Sequence, residues 1–346
     1  MVAKKTVNLL SMKNVVNKKI EWIWKDWLAL QKLTMIAGEA GVGKTTACLD
    51  IAAIFTRGGI FPDGQKCEST GSVLIYSTED EVCTTLNPRL TANGADTDKI
   101  FYIDDTMLSS GKKDLFDPTK DFMLLEARLK ENSDIKLIII DPIVCVIDGD
   151  MHKANEVRKS LTPLVKLAEE YNCSILGITH FSKGGVNNNF VDKVIGSQAF
   201  VAFARMLWVV INQGDINFLS KAKSNISSLN GVCSYNIKKV LIDNQQIETT
   251  TVEWLAYEDK DLSTVMNKKE KEVADYSLFE LDKAKKLILD RLKSGENVTS
   301  KTLDQYCFEK NISMSTLNRA RNGLKKEGKI ESIKLSNYWG WKLKSE

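Results

Sequence analysis

Gly38-Glu39-Ala40-Gly41-Val42-Gly43-Lys44-Thr45 fits GxxxxGK[ST] without a gap, and its reading decides the fold. An apolar run, Leu33–Ala37, leads into it and helical spacing begins at Lys44, so the octapeptide marks a strand-to-helix turn. The residue types follow from what such a turn does. Glycines let successive backbone N–H groups turn inward, and the N-terminus of the next helix adds positive potential, which together cradle phosphates. Lys44 neutralises β/γ oxygens, and the Thr45 hydroxyl suits magnesium. Residues Gly38 to Thr46 inclusive are therefore the expected nucleotide contacts: Gly38, Glu39, Ala40, Gly41, Val42, Gly43, Lys44, Thr45 and Thr46.

Outward from this turn, apolar runs alternate with helical patterns as far as about residue 211. Leu33–Ala37, Val73–Ser77, Ile100–Ile103, Leu137–Ile140 and Ser174–Thr179 read as buried strands. Lys44–Phe55, Glu81–Ala92, Thr119–Glu131 and Asn155–Tyr171 read as helices between them. Strands rich in Ile, Val and Leu on both faces predict an α/β fold, a mostly parallel sheet with helices on both faces. After Arg205 the helices stop. Met206–Ile211, Phe218–Ala222, Val232–Lys238 and Gln246–Trp254 should extend the sheet antiparallel at one edge.

Three strand tips carry polar residues that suit chemistry at the cradle. Asp141 closes Lys-Leu-Ile-Ile-Ile-Asp, where a carboxylate can hold a magnesium-bound water at the C-terminal edge of the sheet. Glu79 follows Val-Leu-Ile-Tyr-Ser-Thr and can align an attacking water as general base. Asp80 and Glu81 beside it read instead as the start of the next helix, whose dipole favours acids. His180 ends Ser-Ile-Leu-Gly-Ile-Thr on the same edge, placed to sense the γ-phosphate or simply to face solvent.

These elements, in this order, resemble the RecA-like ATPases, and most of all the group of hexameric plasmid replicative helicases of the RepA type and their mobile-element relatives. The resemblance covers about residues 20–258. It implies ATP and Mg2+ as ligands, with Lys44, Glu79 and His180 at the reaction and Thr45 and Asp141 at the metal. On the likeness alone, Arg205 would be an arginine finger reaching a neighbouring subunit, Lys223 a second trans-acting cation, and Arg89 a contact to the base. Trp-Ile-Trp-Lys-Asp-Trp27 looks like the short segment ahead of the first strand in such proteins. Such helicases often carry two adjacent histidines on the sensor strand. Thr179-His180 keeps only the second.

The resulting division is an N-terminal lead-in segment (1–30), a RecA-like ATPase core (31–258), a charged linker (259–277) and a small domain (278–346). In the last, helical stretches Leu278–Lys293, Ser300–Lys310 and Ser313–Glu327 precede strand-like Ile330–Leu335 and Tyr338–Leu343, the pattern of a winged helix-turn-helix. Leu317, Ala320 and Leu324 would face its core, leaving Thr316, Arg319, Arg321, Lys325 and Lys326 outside, toward phosphates. Docking onto a protein is the alternative use. In the core, the loops Val144–Ala154 and Ser182–Lys193 would face a ring channel, with Lys183 and Lys193 following a phosphate backbone or simply lying in solvent.

Composition narrows the class. The chain has 346 residues, 48 Lys+Arg against 45 Asp+Glu, and 43% hydrophobic residues, which excludes disordered, collagen-like and small disulfide-stapled proteins. Residues 276–346 hold 15 Lys/Arg and 9 Asp/Glu, so positive charge gathers at the C-terminal end. Seven cysteines without a CxxC pair, and only two histidines, read as reduced structural thiols of a cytoplasmic protein without zinc. No secretory leader and no membrane span is expected. The favoured expectation is a ring-forming ATP-driven helicase, a hexamer by the likeness, that replicates a plasmid, phage or mobile element. Its partners would be single-stranded DNA in the channel, duplex DNA at the winged helix, and a primase or initiator protein. A RadA-like recombination ATPase and an ATP-switched DNA-binding regulator stay open as alternatives. A metabolic P-loop kinase fits less well, because no Arg-rich lid segment is found.

Overall fold

The computed structural model describes residues 7–107, 110–182, 193–194, 198–242, 247–293, 298–335 and 338–344. They fall into two compact units, Met1–Leu262 and Ser263–Glu346. The first contains the strands β1 (Trp22–Trp24), β2 (Leu28–Ala29), β3 (Leu33–Gly38), β4 (Ser72–Ser77), β5 (Ile100–Tyr102), β6 (Thr106–Met107) and β7 (Lys113–Asp114). It continues with β8 (Ile135–Asp141), β9 (Ser174–His180), β10 (Met206–Gln213), β11 (Ile216–Ser224), β12 (Val232–Ile242) and β13 (Ile247–Glu258). Its helices are α1 (Lys44–Arg57), α2 (Asn87–Ala92), α3 (Phe122–Glu131), α4 (Ala154–Glu170) and α5 (Gln198–Phe203).

Nine strands form one sheet in the order β13-β12-β11-β10-β3-β9-β8-β4-β5. Pairing is parallel from β10 through β5 and antiparallel from β10 through β13. This is the RecA-like mixed sheet that the alternating pattern predicts. Alternate side chains serve opposite layers. Ile36, Val73, Ile75, Ile139 and Ile178 pack with Ala47, Leu49 and Ile51 of α1. Met35, Leu74, Ile138 and Ile175 are buried on the other face, where α4 contributes Val157, Leu161 and Leu164. Covering both faces is why these strands lack a polar side.

The lead-in segment is anchored by aromatic packing. Trp24 and Trp27 stack with ring centroids 4.5 Å apart, and both meet Trp208 of β10 edge-on. Trp24 also stacks on Phe61 and donates its indole N–H to Asp63 Oδ2 at 2.8 Å. The buried Lys221 ammonium lies 4.7 Å from the Trp27 ring centroid. A hairpin, β12 with β13, is latched to the cradle helix: the Trp254 indole N–H donates to Asp50 Oδ2 at 2.6 Å. Asn93 Oδ1 accepts from the Thr251 hydroxyl at 2.8 Å and the Val252 amide at 3.2 Å.

That latch makes a testable pH dependence. Burial pushes the Asp50 carboxyl up to about 6 from an ordinary 3.8, while the Trp254 hydrogen bond and the charge of Arg57 pull the other way. Between those values the folded chain holds a proton that the unfolded chain has released. The stability from this group is therefore complete below the unfolded value and is lost as pH rises through about 6. Asp141, raised to about 6 chiefly by burial, acts in the same direction. Asp50→Asn should flatten the fall, measured as urea midpoints at about pH 4 and about pH 7. An unchanged difference between the two midpoints would contradict this.

The second unit begins on α6 (Leu262–Leu292) and continues with β14 (Val298–Thr299), α7 (Ser300–Glu309), α8 (Met314–Lys326), β15 (Ile330–Leu335) and β16 (Tyr338–Leu343). Its three strands order as β14-β16-β15. Thr299 and Ser313 cap α7 and α8 by accepting from the amides of Thr302 and Thr316. Leu303, Cys307, Leu317, Ala320 and Leu324 form its core, with Trp341 packed against them and Trp339 turned out.

Three expectations are corrected. The stretch read as a charged linker, 259–277, is helical from Leu262 onward. Its Lys and Glu residues are good helix formers, and charge alone does not break a helix. The helix expected over 81–92 divides into a π-helical turn, Val82–Leu86, and α2. Pro88 has no amide to donate into a continuous α-helical ladder, and the Glu81 carboxylate caps the turn by accepting from the Thr84 amide. Arg321, expected on the outer face of its helix, is buried. It donates to Asp304 and lies 5.6 Å from the Trp341 ring centroid. Residues 317, 321 and 324 share one helical stripe, so the position is inward by spacing.

Candidate nucleotide site

The cradle leaves β3 where the sheet forces a tight turn. Gly43 has φ 77° and precedes α1; a Cβ there would lie 2.5 Å from Ile237 Cδ1 of β12. Both the backbone conformation and the hairpin thus require glycine at this position. The Tyr235 hydroxyl fixes the hairpin to the loop by donating to the Val42 carbonyl at 2.9 Å.

A cleft of about 320 Å³ opens above the loop. Gly41, Gly43, Lys44, Thr45 and Thr46 form its floor, with Glu79, Asp80, Arg89, Asp141 and His180 around it. The chain therefore brings the three strand-tip residues and the expected base contact into the cleft beside the cradle. Gly38 ends β3, and Glu39, Ala40 and Val42 lie in the turn itself. Ile237 and Thr250, from the hairpin, complete the wall.

Lys44 is held by its own loop, donating to the carbonyls of Glu39 at 2.7 Å and Gly38 at 3.1 Å. Burial lowers its pKa, and the charges of Asp141 and Glu79 oppose that. His180 Nδ1 lies 3.2 Å from the Lys44 ammonium, and its Nε2 lies 3.3 Å from Glu79 Oε1. One imidazole thus joins the phosphate-facing cation to the candidate base. Asp80 is taken up by Arg89, Oδ2 to Nη1 at 2.6 Å, which fixes the turn after β4 and holds the guanidinium at the cleft wall.

The Thr45 hydroxyl donates to Asp141 Oδ2 at 2.6 Å. Asp141 Oδ1 is buried without a hydrogen-bond partner. Burial raises this carboxyl to about 6, Glu79 and Asp80 add to the rise, and the Thr45 bond and Lys44 oppose it. A buried carboxylate oxygen without a partner is costly. Thr45 and Asp141 would hold a hard divalent cation, which would satisfy that oxygen. Among the described residues no cluster of three His, Cys, Asp or Glu forms an all-protein metal cage. The donor set therefore fits magnesium carried with a nucleotide.

Arg205 and Lys223 stand elsewhere. Met206 pairs with Thr34 at the start of β3, whereas the cradle follows Gly38 at its end. Arg205 is thus about 17 Å from its own cradle along the strand direction, and it is exposed. Lys223 caps α5, donating to the carbonyls of Val201 and Ala204 at 2.5 and 2.9 Å. Burial lowers its pKa and the Arg205 charge adds to that. Of the expected DNA contacts, Arg319, Lys325 and Lys326 are exposed on α8. Lys193 is half-buried, its carbonyl accepting from the Ser182 amide, and Lys183 lies outside the described residues.

Sequence reasoning missed Tyr235, Ile237, Thr250 and Trp254. They reach the cleft and its helix from almost 200 residues away through hairpin geometry, and no local signal marks them. The model of a protein family described as an AAA domain matches residues 10–186, a span holding the cradle, Glu79, Arg89, Asp141 and His180. No curated protein matches the chain.

Proposed function

The chain belongs to the AAA-domain family of P-loop ATPases, and from that premise we propose that it is a ring-forming, ATP-driven DNA helicase or translocase serving replication of a plasmid, phage or mobile element. The placement of Arg205 carries the assembly part of this reading. A finger at the sheet edge remote from its own cradle, exposed beside the end of β11, serves a nucleotide only when a second copy is present. Lys223, whose ammonium is taken by α5, acts here as a positioning residue that holds the Arg205 segment.

In the reaction, the loop amides and Lys44 hold the β/γ-phosphates, and Thr45 and Asp141 would hold magnesium. Magnesium, when bound, neutralises charge on the phosphate oxygens. Glu79 takes a proton from the attacking water. His180 touches both Lys44 and Glu79, and it ends its strand two residues before Ser182, where the loop read as DNA-facing begins. Loss of the γ-phosphate would be felt first by this histidine. The second unit supports a winged-helix role: three helices and a three-stranded sheet, with Arg319, Lys325 and Lys326 exposed on α8. Among the described residues no helix is long and apolar enough to cross a membrane.

Strand displacement on a forked duplex tests the reading. ATP-dependent release of the displaced strand, lost in Lys44→Ala, is expected. ATP turnover and DNA binding without any release would favour the RadA-like alternative.

A further inference from the structure

In the second unit, β15 and β16 pair from Ile330 with Leu343 to Leu335 with Tyr338, so only residues 336 and 337 separate the two strands in sequence. The outer end of this hairpin carries Tyr338 and Trp339, 69% and 62% exposed. The other six tryptophans of the chain are buried or half-buried. A single open aromatic is ordinary, but two consecutive ones at the end of a strand hold a large apolar area in water. Alternation along β16 sends the two rings to opposite faces. Trp339 shares its face with Trp341, which packs on the core of the unit and donates its indole N–H to Ser300 Oγ at 3.1 Å. Lys334 stands directly across from Trp339. Tyr338 shares the other face with Lys342, whose ammonium lies 2.9 Å from Glu331 Oε1. Each ring thus has a lysine on its own face. Pairing with β15 on one side and with β14 on the other fixes β16, so the rings are offered from a rigid support.

Charge decides what such a surface takes. Residues 325–344 contain six lysines against two glutamates, and all six lysines are exposed. Open rings set among cations fit a polyanion whose repeating unit carries a flat face, which is nucleic acid. The rings can stack only on bases that are not already stacked within a duplex, so the form that fits is single-stranded. The ion pair of Lys342 with Glu331 is exposed and therefore weak, and exchanging it for a phosphate costs little.

Resting on the reading of the second unit as a winged-helix domain for DNA, we propose that the outer end of the β15–β16 hairpin binds single-stranded DNA, with unpaired bases stacked on Tyr338 and Trp339 and the backbone followed by Lys334 and Lys342. The second unit then tells unpaired from paired DNA. The exposed cations of α8, which meet phosphates, do not make that distinction by themselves.

The test uses the full chain without nucleotide and two oligomers of equal length and charge, one of deoxythymidine and one of abasic sugar-phosphate. The parent chain should bind the thymidine oligomer about tenfold or more tightly than the abasic one. Tyr338→Ala/Trp339→Ala changes only exposed side chains, so the chain should fold and bind the abasic oligomer as before, while its preference for bases falls several-fold. Tyr338→Phe/Trp339→Phe keeps both rings and should keep most of the preference. Iodouracil placed in the thymidine oligomer and irradiated should form adducts with Tyr338 or Trp339. A preference equal to the parent's in the double alanine variant, or adducts confined to the first unit, would overturn the stacking surface while the DNA reading stands. Equal binding of both oligomers by the parent would also overturn it and leave the rings to a protein partner. A parent chain that binds neither oligomer would sink both readings.

Discussion

Glu79→Gln is expected to slow ATP turnover by about 10²–10⁴-fold while ATP binding stays close to that of the parent chain. The other carboxylates at the cleft are already committed, Asp141 to Thr45 and Asp80 to Arg89. Glu79 meets only His180 Nε2 among the described contacts of its side chain, at 3.3 Å, and is partly exposed. It is the carboxylate at the site left to accept a proton. Glutamine keeps the shape and the contact to His180 but has no basic oxygen to take that proton. Single-turnover hydrolysis and equilibrium binding of a fluorescent ATP analogue separate the two effects. Turnover near that of the parent chain would move the base elsewhere, and weakened binding would make Glu79 a structural residue of the cleft.

Arg205→Ala is expected to reduce hydrolysis by about 10³–10⁵-fold, the range for losing a guanidinium that stabilises charge in phosphoryl transfer. A side chain at the start of β10 does not meet the cradle at the end of β3 within one chain, so its effect must cross a subunit boundary. The distinguishing result is complementation. On the proposed reading, Arg205→Ala and Lys44→Ala chains would each be inactive, yet mixed assemblies would contain junctions with one intact cradle facing one intact finger. Partial recovery of ATPase on mixing is expected. No recovery at ratios that form mixed assemblies would return Arg205 to an ordinary surface arginine.

Much of this architecture is legible locally. The cradle is a contiguous motif, and each parallel strand around it is a run of Ile, Val and Leu, so Asp141, Glu79 and His180 stand out at or just beyond the strand tips without knowledge of their neighbours. Their convergence follows from parallel strands that share one C-terminal edge. What stays hidden arises from distance or from competing local rules. The hairpin residues Tyr235, Ile237 and Trp254 act through long-range pairing and side-chain contacts to the loop and α1, for which no short pattern exists. Pro88 divides a helix whose spacing looks continuous. The charge of Arg321 points to solvent, whereas its helical phase with Leu317 and Leu324 points inward. Asp304 and Trp341, which make its burial tolerable, come from other elements.

The roles proposed for cleft and finger rest on a single claim: the nucleotide is hydrolysed where two copies meet, and bound DNA feels it. ATPase rate per chain, measured across protein concentration with and without single-stranded DNA, tests it most directly. A rate per chain that rises with concentration as subunits assemble, and rises again when DNA is added, is expected. A rate per chain that is flat across concentration and indifferent to DNA, from a protein that stays a single subunit, would contradict it.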